Sequence, residues 1–398
     1  MCINCKNQAK TIAISVVTDL AILCVITFLF FSLISCNRNH TKNHLVALKK
    51  MEKTLYFPLD SETKTLIIAL FPYTDSDGTE YLTFQNERKN AILFYEMNTG
   101  KFLYKIKPAM EGPNGIGQLF GYHIKDLNNI YLTGFRSEVI LIDSAAKVKE
   151  RINFKTISDG LMVTTGYSTS INYMPIIILE NKLYLAIKNN RRAERSYVSM
   201  TIDIDTKKLD FLPFEYPVFP VSSDKSKASS IEYYFSRCFD GSNFIYSFHY
   251  DENIYVTTPD HKSVRKIPVK SQYVRKVEFD ELLPSNTVKD MIEVAHYGDL
   301  YYDRYRDVYY RFAFPRNEVD ANDNFVELWN YGRKVFSIMI LDRDFQIIGE
   351  TLFPEYVYNP YVVFIREDGL YISSSHFKNP NYSDDWLTFD CFQLETIK

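Results

Sequence analysis

From about residue 51 to the C-terminus, apolar residues come in short runs that alternate with polar ones and break at polar turns. No long amphipathic helical stripe interrupts them. Alternation of period two marks half-buried strands, and many such runs at regular spacing mark an all-β fold. One unit recurs along this stretch. It holds a turn, a strand with an aromatic near its centre, a loop, a further strand, an Asp/Asn-rich turn and an outer strand. The aromatic strand occurs six times: Glu80-Tyr81-Leu82, Ile130-Tyr131-Leu132, Leu183-Tyr184-Leu185, Phe244-Ile245-Tyr246, Val308-Tyr309-Tyr310 and Leu370-Tyr371-Ile372. The late turn with its outer strand occurs five times, within 97–106, 143–154, 203–214, 258–269 and 341–353.

The missing outer strand sits at the other end of the domain. Residues 53–59, KTLYFPL, look like an outer strand with nothing before it, and 387–394 ends the sixth unit. A β-propeller closes its ring in this way, which removes the two unpaired edges of an open ring. The pattern predicts an all-β, six-bladed β-propeller over residues 53–398, with the N-terminal strand closing the last blade. The alternative is a seventh blade hidden in 269–301, a stretch read instead as a loop with a short helix near 285–295.

Composition supports strands. Tyr 30, Phe 29 and Trp 2 make the chain 15% aromatic, and rings fit a pleated, half-buried surface. Charged residues are 24% and the net charge is −3. That balance argues against long disorder and gives no electrostatic footprint for nucleic acid.

The first residues read as an address. Residues 20–34, LAILCVITFLFFSLI, carry no charge, with Lys6 and Lys10 ahead of them. Fifteen residues suit a signal-peptide core and fall short of the roughly 20 that span a bilayer. Leu33-Ile34-Ser35-Cys36 resembles the bacterial lipobox. The resemblance implies a lipoprotein signal peptide over 1–35, a lipidated Cys36 and a tether over 36–52. An uncleaved anchor helix is the alternative. No acidic run follows Cys36, which leans toward an outer-membrane lipoprotein with its domain in the periplasm. Two cysteines then remain in the domain, Cys238 and Cys391, read as small buried residues far apart rather than as a disulfide.

The lipobox, EGPNGIG (111–117) and HYGDLYYDRYRDVYYRFAF (296–314) together resemble an uncharacterised family of Bacteroidetes lipoproteins. That family is a domain of unknown function in the TolB-like six-bladed propeller group. The resemblance covers most of the chain after about residue 50 and implies the fold and the anchor. It lends no catalytic residue.

In a propeller, the face where loops enter innermost strands and leave second strands is the usual place for chemistry. Glu111 and Asn114 lie in a glycine-rich segment whose N–H groups could meet an anion, although tight turns are the commoner use of such glycines. Residues 320–325 alternate oxygen side chains as calcium loops do, but Phe325 and Tyr331 stand where an EF-hand needs Gly and Glu, so a solvated loop is expected. Arg191, Arg192 and Arg195, with Arg88, Arg136 and Arg316, could form a basic rim. Nearby Glu87, Glu138, Glu194 and Glu318 favour scattered surface charge instead. Tyr297 and Trp386 are candidate aromatic contacts. No hydrolase or zinc-protease motif is present. His123, His249 and His376, on alternate blades, could converge on a metal with His296 as a fourth group. Lone strand histidines are more often packing residues, and no cofactor is expected. Two functions follow as expectations. One is a lipid-anchored binding module for an envelope protein or glycan. The other is a metal-assisted propeller lyase or hydrolase.

Overall fold

A computed structural model describes residues 45–86, 89–134, 137–154, 169–187, 197–217, 234–277, 288–320 and 322–397. Six four-stranded antiparallel sheets make up the fold. In chain order, β1 is Val46–Pro58. Blade one follows with β2 (Leu70–Thr74), β3 (Glu80–Asn86), β4 (Ala91–Glu96) and β5 (Phe102–Ile106). Blade two holds β6 (Leu119–Asp126), β7 (Asn129–Gly134), β8 (Glu138–Ile142) and β9 (Val148–Asn153). Blade three holds β10 (Ile177–Leu179), β11 (Lys182–Ala186), β12 (Ser199–Asp203) and β13 (Leu209–Phe211). Blade four holds β14 (Phe235–Phe239), β15 (Phe244–Phe248), β16 (Asn253–Thr257) and β17 (Val264–Pro268). Blade five holds β18 (His296–Asp303), β19 (Val308–Phe314), β20 (Ser337–Leu341) and β21 (Ile347–Leu352). Blade six is β22 (Asn359–Arg366), β23 (Gly369–Ser373) and β24 (Trp386–Thr396), closed by β1.

All six aromatic segments are second strands, and all five late segments hold outer strands. No seventh blade occurs among the described residues. Among the described residues of 269–301, a short helix, Val288–Glu293, leads directly into β18. The strands are less alternating than the sequence suggested, for a physical reason. A second or third strand is packed between neighbouring blades on both faces, so β15, β19, β20 and β23 are buried at every residue. Outer strands such as β17 lie at the rim and are mostly exposed.

The core consists of apolar clusters between blades. Leu82, Phe84 and Tyr95 of blade one pack with Phe364 and Phe389 of blade six. Ile245 and Val256 of blade four pack with Tyr309 and Met339 of blade five. Two buried arginines add polar clamps. Arg237 on β14 donates to Ser199, Pro175 and Tyr184 in blade three and its approach. Arg311 on β19 reaches into blade four in the same way. Cys238 and Cys391 are free and buried, in blades four and six.

The closing strand is longer than the sequence implied. It starts at Val46 rather than at residue 53, so the domain begins inside the segment read as tether. Pairing with β24 runs from Val46↔Thr396 to Pro58↔Trp386, with a register shift between Lys50 and Thr54. That irregularity hides the first half, because a bulge breaks the period-two pattern. Buried Asp390 fills the break, accepting from Lys50 Nζ at 2.6 Å and Thr54 Oγ1 at 2.7 Å.

Candidate functional site

At one end of the ring, the segments entering innermost strands and those joining second to third strands surround a cavity of about 180 Å³. Each blade supplies part of the wall. Ile67 and Ile68 precede β2, Phe120 lies on β6, Tyr173 precedes β10 and Tyr234 precedes β14. His249 follows β15, Asp299 and Phe314 come from blade five, and Tyr361 lies on β22. Beside this wall, Asn172 accepts from the Leu70 N–H at 2.6 Å and donates to the Tyr361 carbonyl at 3.3 Å. One amide side chain thus ties the approaches of three blades together.

The loop from β19 to β20 brings Trp329, Asn330 and Arg333 to the cavity. Part of it folds as the helix Phe325–Tyr331. Asn324 caps that helix, its side chain accepting from Val326 and Glu327 N–H groups. Asn-x-x-Glu is a capping signature that the sequence displays at 324–327. Buried Leu328 pins the helix. Gly332 ends it at a φ of 110°, where a Cβ would lie 2.6 Å from Pro360 Cδ, so only glycine fits. Arg333 comes next and is 2% exposed. Its Nη1 donates to the Ile292 carbonyl at 2.6 Å, and its guanidinium sits 5.0 Å from the Phe314 ring centre.

Opposite charge is also present. Asp299 is buried, accepts from Tyr301 at 3.2 Å and lies 3.8 Å from His249 Nε2. Tyr234 stacks on His249 with ring centres 5.9 Å apart and meets Trp329 edge-on at 6.2 Å. His296 lies 6.1 Å from His249, stacks on Phe314 and places Nδ1 2.9 Å from the Val294 carbonyl. Burial and the neighbouring Arg333 and His249 push the His296 imidazole well below its usual range, so it is neutral.

The three histidines read as metal ligands do not meet. His249 lines the cavity. His123 sits midway along β6, opposite Tyr131, and burial holds it down to about 4. His376 is fully buried, with Nε2 3.1 Å from the Gly332 carbonyl and Nδ1 accepting from the Lys378 N–H at 3.1 Å. Both its nitrogens are thus committed to the backbone, and its work is to hold the Arg333 loop. Among the described residues, no three His, Cys, Asp or Glu groups come together to hold a metal.

Other candidates fall away from the cavity. Tyr297 is not a loop contact: it is completely buried on β18, with Arg311 3.8 Å over its ring. A strand-opening position next to a conspicuous loop hid its inward direction. Trp386 is 43% exposed at the mouth end of β24, packed edge-on to Tyr56 at the outer rim. Glu111 and Asn114 lie at the rim of blade two, where Asn114 Oδ1 accepts from Val148 N–H at 3.4 Å. The glycine-rich segment there is a turn, with Gly115 N–H donating to the Gly112 carbonyl at 2.9 Å. The calcium-like segment is used structurally, because Asp323 pairs with Lys378 and Tyr356 while Asn324 caps the helix. Cys36, Arg88, Arg136, Arg191, Arg192 and Arg195 lie outside the described residues.

Arg333, Asp299, Trp329, Tyr234 and Tyr361 were missed by sequence reasoning. Arg333 had a usable signal, since a loop leaving a second strand must open at the mouth.

Known proteins place the chain. No curated protein matches it. A crystal structure of a DUF4221 family member from Bacteroides vulgatus superposes with a TM-score of 0.76 at 26% identity, covering 89% of this chain and 100% of that one. A Bacteroides fragilis protein described as exported superposes at 0.54 with 10% identity, covering 92% and 98%. At that identity it speaks to the fold alone. The family model for the domain of unknown function DUF4221 matches residues 46–352, and the chain belongs to that family.

Proposed function

We propose that this chain is a lipid-anchored binding module of the bacterial envelope, whose mouth cavity receives a group of an envelope protein or glycan. The observation that carries the proposal is the cavity wall, to which six blades contribute apolar and aromatic side chains around a few polar groups. Binding sites have this character, and a rigid ring holds such a wall with little ordering cost. The lipobox ending at Cys36 supports the anchor, since a lipid-modified cysteine with more than one acyl chain holds a protein stably at a membrane. The outer membrane, with the domain on its periplasmic side, is the placement proposed. The metal-assisted enzyme lacks a comparable observation.

Cys36→Ala should abolish acyl labelling and leave the signal segment uncleaved. Labelling of the variant at the wild-type level would end the anchor proposal. Affinity capture from native envelope, with an unrelated lipoprotein as control, tests the mouth. Ile68 lines the cavity and is only partly buried, so Ile68→Trp should fill the cavity and reduce capture roughly tenfold, the scale of a lost hydrophobic contact. A double change to Ser of Lys149, at the start of β9, and Lys207, in the β12–β13 turn, both toward the opposite end, should leave capture intact. Equal capture by wild type and the filled variant would mean that binding lies elsewhere.

A further inference from the structure

We propose that the mouth cavity binds the carboxylate of a small ligand through Arg333, an assignment that rests on the binding role proposed above. Three arginines are almost wholly buried, and they are not alike. Arg311 makes five hydrogen bonds to blade-four oxygens and Arg237 makes three. Arg333 makes one, to the Ile292 carbonyl; its Nε has no acceptor, a feature shared with the Arg237 Nε, so the single bond is what sets Arg333 apart. Among the described residues no carboxylate pairs with it. A guanidinium has five N–H donors and stays cationic, so burial with one bond leaves a strong donor set without its acceptor. That donor set borders a cavity, and a planar carboxylate matches its fork.

The rest of the wall limits what carries the carboxylate. Asp299 lies on the same cavity, buried, and disfavours further negative charge. One cation against one anion fits a monoanion better than a phosphate dianion. The volume of about 180 Å³ holds a ring with one substituent; a dry cavity of about 150 Å³ takes benzene. Tyr234, Trp329 and Tyr361 offer faces for a flat body. The ligand class is therefore a monocarboxylate on a single ring with one face that can lie against an aromatic side chain. An aromatic acid or a terminal uronic sugar supplies that chemistry.

Calorimetric titration of the full-length lipidated protein in nonionic detergent separates these sources. The probes are benzoate and glucuronate, each beside its neutral amide, benzamide and glucuronamide. At least one acid should bind tenfold or more tightly than its amide. Arg333→Met should erase that preference, and Arg333→Lys should restore part of it. Benzoate preference identifies the aromatic class, and glucuronate preference the sugar. If neither acid outbinds its amide, the inference fails. The acid–amide comparison on wild type stands even if Arg333→Met does not fold. Preference retained by a folded Arg333→Met would also overturn it. If no acid binds while Ile68→Trp still reduces envelope capture, the carboxylate is wrong and the binding role survives. If both fail, the mouth is not the site.

Discussion

A chain that begins at residue 60 should fail to fold cooperatively, because it lacks the whole of β1. The strand is the outer edge of blade six, and its residues serve two inter-blade clusters. Leu55 and Phe57 pack between blades six and one, and Leu48 packs between blades five and six. Removing the strand uncovers both and strips the β24 edge of its partners from Val46 to Pro58. Burying a large apolar side chain is worth about 1.5–3 kcal/mol, so three such losses are of the order of the whole stability of a domain. The exposed edge adds an aggregation route.

A chain starting at residue 51 separates the two halves of the strand. It keeps Leu55 and Phe57 but loses Leu48, whose N–H donates to Thr351 Oγ1 at 2.8 Å. It also loses the Val46 carbonyl that lies against Gly349 of β21. Folding should survive, with stability lowered by about 2–4 kcal/mol. A chain starting at residue 45 should match the full domain. Urea unfolding followed by circular dichroism ranks the three. Equal midpoints for starts at 45 and 51 would mean that the first half of β1 closes nothing.

Much of this architecture was legible because a propeller repeats. Six tyrosine-bearing strands and five late turns fixed the blade number, and the orphan strand at 53–59 revealed the closure. The bulge between Lys50 and Thr54 hid the strand's first half. The site was much less legible. Its wall is assembled from all six blades, so no local spacing unites Ile68, Tyr234, Asp299 and Tyr361. Histidines attracted notice by chemical type, yet His376 spends both nitrogens on backbone groups. Arg333 sits in a short Gly-Arg-Lys run that reads as surface charge. The capped helix before it, the glycine at its end and His376 on the Gly332 carbonyl turn it inward.

Arg311→Met should be among the most destabilising single changes in the ring. The guanidinium donates through Nε to Ser247 Oγ at 3.0 Å and through Nη1 to the Glu252 and Val269 carbonyls at 2.8 and 2.9 Å. Nη2 donates to the Asp251 carbonyl at 2.6 Å. Burial pulls it down to about 10, which leaves it cationic at neutral pH. Methionine fills much of the same space and removes every donor. The blade-four acceptors would then be buried without partners, and such losses cost roughly 3–5 kcal/mol together. Lysine keeps the charge but offers its donors at one point rather than as a fork, so Arg311→Lys should recover less than half. Lys49→Ala breaks a half-exposed pair with Glu395 and should change stability by less than about 1 kcal/mol. An Arg311→Met domain with the wild-type urea midpoint would show that the blades do not depend on this clamp. The effect should reach the mouth as well. Three of the carbonyls belong to residues 251–253, in or next to the turn that follows His249, so a loosened clamp frees one wall of the cavity. Ligand affinity should fall in Arg311→Met even under conditions where the domain remains folded.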